Sequence, residues 1–220
     1  MRHWITFMVL LVAGCTPPPP PPLPTPRPQA TVVPPTKADR WKRIANAEDV
    51  ARLARLGAAW TGALADARAR GFSKDVKQEG ALLDPAAGQL RPAPTPGSYS
   101  CRKIQIGSNQ RKAPAFERFK PFFCYIEADG DLLTIVKQTG SERPAGRLWE
   151  DDKDTRLIYL GTLALGNEEA TKPYGEDRNR DMAGVFERVA PFVWRLVIPW
   201  PRGNSKIEVF ELTPVTVQPG

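Results

Sequence analysis

The chain has 220 residues, 41% hydrophobic and 25% charged, enough apolar material for one globular domain and too little for a bundle of membrane helices. Its net charge of +7 comes from 31 basic and 24 acidic residues interspersed without a Lys/Arg block, which argues against a nucleic-acid surface. The single histidine, His3, stands in a segment expected to be cut off, so the mature chain would lack the imidazole that most hydrolase and metal sites use.

Met1, Arg2 and His3 make a short cationic start, residues 4–12 are apolar, and Val12-Ala13-Gly14-Cys15 places two small residues before a cysteine. The apolar run is about half the ~20 residues of a spanning helix, so the reading is a signal peptide over residues 1–14. The tetrapeptide resembles a bacterial lipobox, although Val12 fills the slot usually held by Leu. The resemblance implies that Cys15 becomes the acylated N-terminus, with Thr16 behind it pointing to the periplasmic face of the outer membrane. Several acyl chains, at ~0.8 kcal/mol per buried methylene, make such an anchor effectively permanent.

Residues 15–38 form the lipidated start and linker, and residues 16–36 hold eleven of the 24 prolines. Proline fixes φ and removes the amide donor, so this segment is expected to be an extended spacer at ~3.1 Å per residue. The alternative, a docking site for a proline-reading domain, fits cytoplasmic partners better than periplasmic ones.

Residues 39–97 change composition. Asn46 offers an N-cap with Glu48 and Asp49 in the first turn, and Val50, Leu53, Gly57, Trp60, Leu64 and Ala67 recur at helical spacing. One helix is expected from there to Gly71, and a shorter one over 73–83. The apolar face, with Trp41 and Ile44, is expected to pack on the protein's own body rather than on a membrane surface.

Beyond Gly97 the period changes to two. Strands are expected over 99–106, 119–128, 132–138, 144–149, 156–165, 183–189, 192–199 and 206–212, joined by short polar turns such as Asp129-Gly130-Asp131. No gap is long enough for a crossover helix, which excludes parallel βαβ units. The fold class is α+β: N-terminal amphipathic helices, then an antiparallel, mostly meandering body of about eight strands over 98–214. That body is a small up-and-down barrel or a strongly bent sheet, with the helices over an edge or a mouth.

With Cys15 consumed by lipid, Cys101 and Cys124 are left to pair, and closing ~24 residues restricts the unfolded chain by roughly 3 kcal/mol. Two cysteines without histidine do not make a zinc site, so no metal or cofactor is expected. The polar stretch 171–181 holds Asp177 and Asp181 among Arg178 and Arg180. A pair of carboxylates could cleave a glycan, but the arginines should keep both ionised, unlike a general acid. Arg143, Arg147, Tyr174 and Arg180 are therefore candidate binding residues, and no catalytic residue is assigned.

Asp84-Pro85, Gly97-Ser98-Tyr99-Ser100-Cys101-Arg102, Thr139 through Leu148, Pro173-Tyr174-Gly175, Arg180 through Gly184 and Trp194 through Pro199 resemble a family of exported alphaproteobacterial proteins grouped as domain of unknown function 4893. The resemblance spans roughly residues 41–214, leaves out the lipobox and spacer, and implies one domain in the envelope without naming chemistry. The expectation is a membrane-anchored, noncatalytic lipoprotein that binds an envelope protein or a small ligand. A lipocalin-like carrier and a proteinase-inhibitor-like barrel are the alternatives, and a glycan-cleaving enzyme ranks last.

Overall fold

The computed structural model describes residues 34–140, 142–166, 168 and 172–215, so Cys15, the signal segment and most of the proline-rich linker lie outside the described residues. Four helices come first: α1 (Lys37–Ile44), α2 (Ala47–Ala54), α3 (Leu56–Ala69) and α4 (Ser73–Gln78), followed by a 3-10 turn (Gly80–Leu83). Nine strands follow: β1 (Gly97–Ser108), β2 (Phe116–Arg118), β3 (Phe122–Asp129), β4 (Leu132–Lys137), β5 (Glu142–Glu150), β6 (Leu157–Leu165), β7 (Asp181–Ala190), β8 (Val193–Pro199) and β9 (Ser205–Pro214).

All pairings are antiparallel, and the meander from β3 to β9 closes through β1, which pairs with β9 from Tyr99↔Pro214 to Ser108↔Ser205. The result is a closed eight-stranded barrel with β2 as an extra strand. On its other edge β1 pairs first with β3 (97–101) and then with β2 (104–106). The expected strand 119–128 begins only at Phe122, as β3, and the short β2 before it was not expected; the two are separated around Pro121. Proline has no amide to give a ladder, and the break lets β2 follow β1 beyond the end of β3.

Alternation sorts each strand into an inward and an outward set. Tyr99, Ile126, Leu148, Tyr159, Phe186, Trp194, Leu196 and Leu212 fill the interior. The outward set is largely buried too, because the helices lie against the outer wall. Trp60, Ala63, Leu64 and Ala67 of α3 cover Ile104, Ile106, Val197, Ile207 and Val209. Trp41 and Leu53 pack on Ile158, Leu160, Ala183 and Val185 of β6 and β7. Contact is close enough that a Cβ on Gly107, at φ 66°, would stand 2.9 Å from the Cα of Ala63. The helices thus cover the outer wall rather than an edge or the mouth, with Arg52 of α2 alone reaching the rim of the mouth cavity.

Two helical expectations are corrected. The helix expected from Asn46 breaks at Arg55, since Leu53 must reach the β6–β7 wall while Trp60 and Leu64 follow the curve to β1 and β9. Leu56 touches both clusters at the bend. Ile44, expected to pack, is 51% exposed at the end of α1. Trp41 packs as expected and donates from Nε1 to Asp151 Oδ1 at 3.0 Å.

Arg195, on the outward face of β8, is completely buried. Its guanidinium forks onto Glu187 Oε2 at 2.9 and 2.7 Å, donates to the carbonyls of Leu82 and Asp84, and stands 5.1 Å from the Trp60 ring. It ties the helical arm to the barrel. Cys101 and Cys124 form a disulfide across β1 and β3, with Cα atoms 6.0 Å apart, as the cysteine count leads one to expect.

Candidate functional site

One end of the barrel is filled and the other is open. Large side chains close the end where β1 begins and β9 finishes: Tyr99 meets Trp194 edge-on at 5.9 Å, and Trp194 Nε1 donates to the Pro92 carbonyl at 3.0 Å. The chain enters the domain at this filled end, where Lys37 pairs with Asp154 and Ala38 N–H reaches Asp152.

At the other end the same inward positions turn polar. Lys103 and Gln105 continue the phase of Tyr99 and Cys101, Lys137 that of Ile135, and Glu208 that of Phe210 and Leu212. With loop residues Asn179, Arg180 and Arg202 and Asp181 at the start of β7 they surround a cavity of about 170 Å³. Phe210, Ile198, Met182, Leu163 and Pro144 give it apolar walls.

Glu208 accepts from Gln105 Nε2 at 2.7 Å and lies 3.5 Å from Lys103 Nζ, which is also 3.8 Å from Glu142. Lys103 stands 4.5 Å over the Phe119 ring, and Lys137 4.4 Å over Phe122. Lys137 differs from Lys103 in one respect: among the described residues no carboxylate lies within salt-bridge distance of it. Burial, then repulsion by Lys103, outweigh the pull of Glu142 and Glu208 and hold its amine below the ordinary lysine range.

Beneath the mouth, a narrow void is lined by Lys137, Phe122, Phe210, Pro144 and Tyr159. The Tyr159 hydroxyl is fully buried and has no hydrogen-bond partner among the described residues. Burial pushes its pKa up, so it stays a neutral O–H. The ring runs across Gly146 and Gly161, where a Cβ on Gly146 would meet Tyr159 Cε2 at 2.7 Å. Gly161 is one inward step nearer the mouth than Tyr159, so the hydroxyl end points toward the opening.

The four binding candidates are not brought together. Arg180 lies on the rim, with Nη1 2.5 Å from Glu168 Oε1 and Nε 3.5 Å from Asp177. Arg143 braces the β4–β5 turn by donating to the Gly140 and Gly166 carbonyls at 3.2 and 2.5 Å. Arg147 pairs with Asp129 at 2.6 Å on the outer wall. Tyr174, bonded to Asp49 and to Asn46 Nδ2 at 3.0 Å, holds the start of α2. Arg147 and Tyr174 line a separate outer groove with Trp149 and Ile44.

Asp181 departs from expectation as well. Its neighbour Arg180 turns to Glu168 and Asp177, leaving Asp181 buried with one oxygen on Gly175 N–H at 2.9 Å and the other unpartnered among the described residues. Burial first, then the nearby Asp49 and Asp177 charges, raise its pKa rather than lower it.

The residues that sequence reasoning missed are Lys103, Gln105, Lys137 and Glu208. A signal was present: each is polar at a position in phase with inward apolar residues of its strand. A polar residue near a strand end reads equally well as solvated, so only closure of the barrel distinguishes the two.

A family model described as Domain of unknown function (DUF4893) matches residues 41–212. The chain belongs to this family. No curated protein and no solved structure matches it. The DUF4893 span runs from Trp41 into β9 and contains every residue of the mouth, whereas Cys15 and the proline-rich segment lie outside it. Chemically, the DUF4893 mouth offers ammonium and guanidinium groups beside hydrocarbon, with Glu208 already engaged. Among the described residues, no three His, Cys, Asp or Glu side chains are grouped to hold a metal.

Proposed function

We propose that this protein is a noncatalytic binding lipoprotein of the cell envelope, anchored through Cys15 on the periplasmic side of the outer membrane, whose barrel mouth takes a small ligand. The observation that carries the reading is the one-ended interior: bulky side chains fill one half, while the other is a cavity with apolar walls and a charged rim. Binding pockets combine hydrocarbon surface with a few placed polar groups in this way. The lipobox and the proline spacer support the anchored, exported location, and the disulfide suits an oxidising compartment. The cavity favours the carrier-like reading over an inhibitor-like barrel, which would act through an exposed segment.

Native mass spectrometry of the full chain isolated from its own envelope tests this. A small-molecule adduct is expected on the wild type and absent from Met182→Trp, which fills the cavity without altering a charge. An adduct equally retained by Met182→Trp would remove the mouth from consideration.

A further inference from the structure

Resting on the barrel-mouth reading, the question becomes what the cavity selects. Its size comes first: about 170 Å³ is below the ~300–1,000 Å³ of drug-sized sites. That size suits a short or compact body better than a buried long acyl chain. Charge comes second. Arg52 is tied to Asp49, Arg180 to Glu168, and Lys103 to Glu208 and Glu142, so their positive charge is largely answered within the protein. Two lining cations have no such partner among the described residues: Arg202, exposed on the rim, and Lys137, set against Phe122 beside a second ammonium, Lys103. Lys137 is half-buried, so its charge is partly desolvated without a counter-charge, and an anion from outside relieves that cost.

Hydrogen bonding comes third and independently. The Tyr159 hydroxyl is an orphan donor in the same void that Lys137 lines, and its ring is aimed toward the opening by Gly146 and Gly161. That void measures only about 10 Å³, room for a single oxygen atom beneath the mouth cavity; a buried donor left unmade costs stability, and one ligand oxygen reaching down into it would satisfy it. Phe122, Phe210 and Pro144 surround both groups with hydrocarbon.

We infer that the mouth is a receptor site for small organic anions, a carboxylate on a short apolar body, in which Lys137 supplies the charge and the Tyr159 hydroxyl the hydrogen bond. Such a pair selects for the ionised ligand over its neutral isostere, because the charge-assisted bond to Lys137 is lost with the charge.

Calorimetric titration of the full chain at pH 7 with hexanoate, hexanamide and inorganic phosphate tests the class. Hexanoate should bind at least tenfold more tightly than hexanamide, which lacks the charge, and than phosphate, which lacks the apolar body. Lys137→Met should reduce hexanoate affinity at least tenfold while Lys137→Arg retains most of it, and Tyr159→Phe should weaken it several-fold. Equal binding of hexanoate and hexanamide, or unchanged hexanoate affinity in Lys137→Met, overturns the anion inference and leaves the cavity reading intact. Failure of every probe to bind overturns the cavity reading as well.

Discussion

Arg195 is a fully buried cation and Lys137 a half-buried one, and their surroundings give them different roles. Arg195 has a carboxylate fork and backbone carbonyls around it, so it holds structure. Removing one partner of a buried pair strands the other, and Arg195→Ala should cost about 3–5 kcal/mol in chemical denaturation. Arg195→Lys should recover little, because an ammonium cannot fork onto Glu187 and reach the carbonyls together. Loss of less than about 1 kcal/mol would show that the knot is not structural. Asp181 gives a pH-dependent case. Its folded pKa lies above the unfolded value near 3.8, so the protonated form is favoured by folding, and that stability fades as pH rises through the folded pKa. Asp181→Asn keeps the acceptor for Gly175 N–H and does not titrate. The variant should be more stable than wild type at pH 7, with the gap closing near pH 3; a less stable variant at pH 7 would contradict this.

At the scale of elements, strands were legible and helix boundaries less so. Alternation in Trp194, Leu196 and Ile198 with short turns between strands located the meander, because a half-buried strand must repeat at two. The bend at Arg55 was hidden, because the apolar repeat continues through it and only the curvature of the wall separates Leu53 from Trp60. The candidate site was less legible still. Arg180 is at the mouth, whereas Arg143, Arg147 and Tyr174 lie apart from it and bond to nearby residues, a separation that short-range sequence does not show. Trp60 is 2% exposed beneath α3, so Trp60→Ala should lower stability by ~3–5 kcal/mol. Unchanged stability with reduced vesicle binding would favour a membrane role for that helix. The disulfide should leave neither Cys101 nor Cys124 alkylated in unreduced, denatured protein; recovery of both as alkylated residues would refute it.

On the scale of the whole molecule, the barrel has two unlike poles. The start of α1 lies at the filled pole, and the opposite pole carries the cavity. Closure hides every barrel edge, and the helices cover much of the outer wall, so the mouth is where the interior meets solvent. If Cys15 is acylated, a clickable fatty acid should label the wild type and not Cys15→Ser; equal labelling would end the lipoprotein reading. The central claim is that binding occurs inside the mouth and not in the outer groove of Arg147, Trp149 and Tyr174. Amide and side-chain chemical-shift mapping of the full chain titrated with hexanoate tests it most directly. The account predicts saturable shifts centred on Lys103, Lys137, Tyr159 and Phe210, with Arg147 and Trp149 unmoved; shifts confined to the outer groove would contradict it.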